Sequence, residues 1–180
     1  MTLSENDARL FYRLQFQLLN YVLKNKHEDI IINTMEEYYG LSQELKLEIR
    51  DTLWDNLQWI DKFITADPDK LIDEEKQIIN QWKLRIKGKL LLERILKKHA
   101  VFISGNLVYG VIGLYDEIDE LIEKARLPLY VEAVLLPFKD KIIYDGLISE
   151  YSISFGKGIR DMFKETYNSA KNNNRIITFL

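Results

Sequence analysis

Near Gly88 the spacing of apolar residues changes, and no single kind of secondary structure fits both sides of that point. On the N-terminal side, apolar residues recur every three or four positions. Leu10, Leu14, Leu18, Tyr21 and Val22 predict a helix over residues 4–25, with Ser4 and Asp7 in a capping arrangement. Ile30, Ile31 and Ile32 start a second helix that ends before Gly40. Ser42 caps a longer one with the stripe Leu45, Ile49, Leu53, Leu57, Ile60 and Ile64. It stops before Asp67-Pro68, because proline disfavours helical geometry in the residue before it. Asp73 caps the next helix. Glu74 and Glu75 sit where the helix dipole favours anions, and Ile78, Ile79, Trp82 and Ile86 face inward.

Beyond Gly88 the pattern is that of strands. Leu90 to Ile95, Ala100 to Ile103 and Leu107 to Leu114 are β-branched and apolar, with turn residues Gly105-Asn106 between the last two. Residues 89–98 read as strand, although their pattern also fits a prolonged helix. Asp116 to Lys124 predicts a short helix with an acidic outer face. Tyr130 to Phe138 and Lys141 to Ile148, joined by Lys139-Asp140, predict a hairpin, and Tyr151 to Phe155 continues it. Gly156-Lys157-Gly158 ends the sheet. A last helix over 159–172 should turn Met162, Phe163, Thr166, Tyr167 and Ala170 inward, and 176–180 should dock as an edge strand. The expected fold is α+β: a helical half packed on a small, mainly antiparallel sheet with a C-terminal helix. We expect a single domain over 1–180, with a helical lobe of about 1–88 and a β-rich lobe of about 89–180.

Composition excludes several classes of function. The 180 residues include no cysteine, which removes thiolate metal sites, disulfides and cysteine nucleophiles, and suits a reducing compartment. No apolar run approaches the length of a membrane span, and the start of the chain is too polar and acidic for a secretion signal. The expected location is cytoplasmic, in a bacterial or phage setting. The net charge of −3 hides an asymmetry. Residues 28–75 hold fourteen acids and four bases, and residues 83–99 hold seven bases and one acid. Such a split points either to an external polyanion or to internal complementarity.

Within the second half, Lys97-Lys98-His99, Val108-Tyr109-Gly110-Val111, Leu135-Leu136-Pro137-Phe138, Ile142-Ile143-Tyr144-Asp145-Gly146 and Phe155-Gly156-Lys157-Gly158-Ile159-Arg160 form a recurring set. With the terminal Ile176-Ile177 they make residues 85–180 resemble an uncharacterised bacterial protein family. The resemblance implies a recurring structural unit and carries no activity, ligand or catalytic residue with it.

Three places could hold chemistry. A two-residue turn at Lys139-Asp140 would pair Phe138 with Lys141, Leu136 with Ile143, Val134 with Asp145 and Glu132 with Leu147. Glu132 and Asp145 would then be diagonal neighbours about 7 Å apart, close enough for acid–base or metal work. The competing structural reading has Asp145 bonding local backbone at a bulge beside Gly146. Lys157, Gly158 and Arg160, at a strand-to-helix glycine pair, could hold a phosphate or carboxylate; plain turn chemistry explains them equally. Lys83, Arg85, Lys87 and Lys89 could line a nucleic-acid groove, with Trp82 and Phe102 for stacking. His27 and His99 have no ligand-spaced partners, so neither a metal site nor a triad is expected.

The sequence therefore assigns no activity and implies no cofactor. It favours a non-enzymatic interaction or regulatory module that binds another protein or a second copy of itself. The hint is a hairpin apolar on both faces, which would expose a patch if only one face were covered. A nucleic-acid binder using 83–99 and a small carboxylate or metal enzyme using Glu132 and Asp145 are the alternatives.

Overall fold

The computed structural model describes residues 1–180. It is an α+β structure with its helices N-terminal, a mostly antiparallel six-stranded sheet and a C-terminal helix. Two compact units divide the chain. One is Arg9–Lys83; the other joins Met1–Ala8 to Leu84–Leu180.

The first unit is helical. It contains most of α1 (Glu5–Lys26), then α2 (Met35–Tyr39), α3 (Gln43–Asp55), α4 (Gln58–Ala66) and α5 (Asp73–Gln81). The start of α2 is fixed by a capping box: Thr34 Oγ1 accepts from the Glu37 amide at 3.2 Å, and the Glu37 carboxylate accepts from the Thr34 amide. It begins later than the Ile30-Ile31-Ile32 run predicts, and Ile31 is exposed. The long helix expected over 42–66 is two helices. Asn56 leaves helical geometry, and its side-chain oxygen accepts the Gln58 amide at 3.1 Å, so α4 restarts at a new angle. Ser42 does cap α3, bonding the Leu45 amide. Asp73 is not the cap of α5. Ile72 is, and its amide donates to Glu75. Trp82 is fully buried, 5.7 Å from Phe11 and 6.4 Å from Trp54 between ring centres in edge contacts. Ile86 is not on that helix, because the chain turns once at Trp82–Leu84 and then extends.

In the second unit β1 (Ile86–Ile95) runs straight through Gly88, whose φ of +145° is one that L side chains rarely adopt. This settles residues 89–95 as strand. β2 (Ala100–Ser104), β3 (Leu107–Val111), β4 (Leu129–Phe138) and β5 (Lys141–Glu150) follow. A single helical turn, α6 (Ile118–Leu121), replaces the longer helix expected there. After β5 the chain is irregular to Gly156, so Tyr151 to Phe155 form no strand. α7 (Lys157–Asn172) and the two-residue β6 (Ile176–Ile177) complete the unit.

Each of the first five strands pairs on both edges. The order runs β2-β1-β4-β5-β3, and β3 pairs with β2 again, which closes a five-stranded ring. The closing pair between β3 and β5 is short and parallel, at Val111 and Ile142. β6 extends β3 in parallel as an outer strand. Register fixes the interior of the ring: Leu90, Leu92, Phe102, Val131, Ala133, Leu135, Ile142 and Tyr144, all buried. Two of the expected hairpin pairs are present, Phe138 with Lys141 and Leu136 with Ile143.

Candidate functional site

α7 carries apolar side chains at Ile159, Phe163, Tyr167 and Ala170, a spacing that puts them along one stripe of the helix, and at Met162, which lies about 100° round the helix from Phe163. The distal half of that stripe is seated. Tyr167 and Ala170 are buried against Leu91, Val101, Ile103 and Val108, which lie on the outer faces of β1, β2 and β3. The Arg94 guanidinium stacks over the Tyr167 ring at 3.9 Å, held there by a two-point pairing with Glu93 that raises its pKa.

The proximal half is not seated. Ile159 is 47% exposed and Met162 54%, so the expectation that Met162 faces inward fails. For Met162 the reason is rotation: it points about 100° away from Phe163, its neighbour at the same height on the helix. The end of α7 leads into β6 beside Val108, and Tyr167 lies over Arg94, the β1 residue that pairs with Val101. Going back along the helix from Tyr167 leads off the strands toward the β1–β2 loop. Leu96 of that loop and Phe163 still pack on the cluster, with Phe155 meeting Phe163 edge-on at 5.2 Å. One turn before Phe163, Ile159 continues the stripe into solvent, and Met162 is exposed at its edge.

The cations of α7 lie on the Tyr167 side of the stripe, away from Met162. Lys157, Arg160 and Lys164 recur at helical spacing in the row next to the stripe, and Lys97 and Lys98 are exposed in the β1–β2 loop. None of the five has a carboxylate partner. Arg160 uses its Nε to donate to the Phe155 carbonyl at 2.9 Å. The residues singled out for anion binding, Lys157, Gly158 and Arg160, thus belong to this surface, and the Gly156 cap of α7 makes no side-chain bond there.

The other expected sites do not assemble. The bulge between Ala133 and Leu135 carries Glu132 opposite Ser149, four residues along β5 from Asp145 where two were expected. Asp145 is buried at 5% exposure, and its Oδ1 accepts the Leu147 amide at 3.4 Å across Gly146, whose φ is +94°. That is the bulge reading. Glu132 instead accepts from the Tyr151 hydroxyl at 2.7 Å, which raises the Tyr151 pKa, and Lys89 lies 5.1 Å over the same ring. No group of three or more His, Cys, Asp or Glu side chains comes together for a metal.

The basic stretch divides as well. Lys83 pairs with Asp61 in the helical unit, Arg85 and Lys87 are engaged, and Lys89 covers Tyr151. The two stacking candidates, Trp82 and Phe102, are fully buried and offer no ring face to a base. The hairpin shows no apolar patch either. Val134, Leu136, Phe138 and Ile143, opposite the ring interior, are all buried, which removes the hint drawn from its two apolar faces.

One more residue emerged that the pattern did not single out for this role. His99 lies at the rim of a cavity of about 10 Å³, near the lower limit for one water. Its Nε2 is buried without a partner, and burial, aided by Lys98, lowers its pKa.

No protein family, curated protein or solved structure matches this chain. Five-stranded barrels also serve as oligonucleotide-binding folds, which bind across their second and third strands. Here the outer face of β2 and β3 is apolar, at Val101, Ile103 and Val108, and is occupied by α7. Architecture alone assigns no function.

Proposed function

We propose that this protein is a non-enzymatic interaction module that binds another protein through the proximal half of α7. One observation carries the reading: the apolar stripe that is buried at Tyr167 and Ala170 continues to exposed Ile159, with exposed Met162 at its edge. Scattered exposed apolar residues are ordinary. A helical stripe that ends in two neighbouring exposed apolar side chains is the shape of a helix face awaiting a second surface. The enzyme alternative is weakened because Asp145 serves its bulge and Glu132 serves Tyr151. The nucleic-acid alternative is weakened because Lys83 is paired and both stacking rings are buried.

The test is site-specific photo-crosslinking in the host cell. A photoreactive residue at Met162 should give one discrete adduct, and the same residue at Asn168, exposed on the far side of α7, should not. The purified adduct partner should bind the wild type and lose at least about tenfold in affinity to Ile159→Asp/Met162→Asp. Equal crosslinking at both positions, or equal affinity for the double variant, would contradict the proposal.

A further inference from the structure

We propose that His99 is the latch of an acid-operated switch, whose protonation expels the ring from its seat on Gly110 and releases the C-terminal segment 175–180, with β6, from β3. The geometry of the seat is the basis. A side chain at position 110 would put its Cβ 3.0 Å from Cδ2 of the His99 ring and 3.1 Å from the Thr178 methyl. The ring and the methyl therefore fill the space over this glycine together. The segment that carries Thr178 is lightly held. β6 is two residues long, pairs with β3 only at Val108–Ile176 and Tyr109–Ile177, and is followed by the exposed Phe179.

In this seat Nε2 is shut off from solvent and has no hydrogen-bond partner. A neutral ring tolerates that. An imidazolium does not, because both its nitrogens are donors and a buried charge without an acceptor is costlier than a buried neutral group. No neighbouring charge offsets the cost. Lys97 and Lys98, on the same loop, are cations. Around the cavity the Met1 ammonium is paired with Glu117 at 2.8 Å and Asp119 with Lys124 at 2.5 Å, so both carboxylates already hold a cation. Beside Gly110 the Tyr109 hydroxyl stays neutral, its pKa raised by burial, and in the C-terminal segment Arg175 donates to Ser169 Oγ at 3.0 Å. The ring can leave without opening its loop. His99 is only half-buried, and the Leu96 amide bonds its backbone carbonyl at 2.9 Å, a contact the side chain does not share. Once the ring is out, the Thr178 methyl loses its neighbour, and β3 gains an unpaired edge at Val108 and Tyr109.

Amide NMR spectra of the full chain test this, recorded from about pH 7.5 down to the pH at which the His99 ring is fully protonated, with the ring protons followed in the same samples. The amide signals of Ile176, Ile177 and Thr178 should move to the positions of an unpaired chain. Their common midpoint should coincide with that of the His99 ring, below 6.5, while the β4 signals keep their shifts. His99→Gln, which leaves His27 in place, should remove the transition. Loss of the β4 and β6 signals together would show the whole barrel unfolding and overturn the latch. So would β6 signals that stay at their paired positions after the His99 ring is protonated, or a transition that persists in His99→Gln.

Discussion

The guanidinium of Arg94 lies 3.9 Å from the centre of the Tyr167 ring, and this contact ties the last helix to the first strand. Arg94→Gln should cost about 1 kcal/mol, the worth of a partly desolvated cation–π contact. Tyr167→Ala should cost about 3–5 kcal/mol, as for other large buried aromatics. Denaturant melts measure both, and amide exchange in residues 165–172 should speed up in each variant. Equal stability of Tyr167→Ala and wild type would show that α7 is not seated on the strands.

The ring interior makes a second prediction. Leu135 is fully buried, opposite Tyr144 on β5 and Ile86 on β1. Leu135→Ala should cost about 2–5 kcal/mol through lost transfer energy and a residual cavity. At this chain length each kcal/mol lowers the thermal midpoint by about 2–4 °C. An unchanged midpoint would contradict the assignment of Leu135 to the interior.

The bulge in β5 separates a structural Asp145 from a catalytic one. Removing the buried acceptor in Asp145→Ala should destabilise by about 1–3 kcal/mol. Gly146→Ala should also destabilise, by about 1–3 kcal/mol, because a φ of +94° strains any residue with a Cβ. Calorimetric or urea melts check both. A stabilised Asp145→Ala would mean that the carboxylate is held there for something other than the bulge.

These sites show where the sequence spoke and where it was silent. The change of period near Gly88, the Gly105-Asn106 turn and the Lys139-Asp140 hairpin are local signals, and each corresponds to an element. The break at Asn56 was hidden because the apolar stripe keeps its spacing on both sides of it. The bulge displaced Glu132 because period-2 pairing cannot count the two extra residues of β5, although Asp145-Gly146 was the cue. Closure of the ring depends on one parallel pair between Val111 and Ile142, far apart in sequence and invisible to any local pattern. Met162 was misassigned for a different reason: it lies about 100° round the helix from Phe163, at the edge of the stripe, where an apolar side chain need not be covered.

His99 predicts a pH dependence of known sign. Burial and Lys98 hold its imidazole below the usual 6.5, while Asp119, which lines the same cavity, is held low by Lys124. The neutral ring is the form the folded state favours. Its contribution to stability is therefore complete above pH 6.5 and is lost as pH falls through the lowered folded value. Wild type should lose stability between about pH 7.5 and pH 5, and His99→Gln should lose less over the same interval. Parallel stability–pH curves for the two proteins would show that His99 titrates as it does in the unfolded chain.

The claim that the proximal half of α7 is a binding face is tested most directly by hydrogen exchange of the intact protein, with and without a saturating amount of the partner captured by crosslinking at Met162. Amides of residues 157–164 should become protected by at least about tenfold, because that face gains a partner that excludes water. Residues 167–172, already seated on the strands, should change little. Protection elsewhere in the chain, or none in residues 157–164 at saturation, would contradict the account.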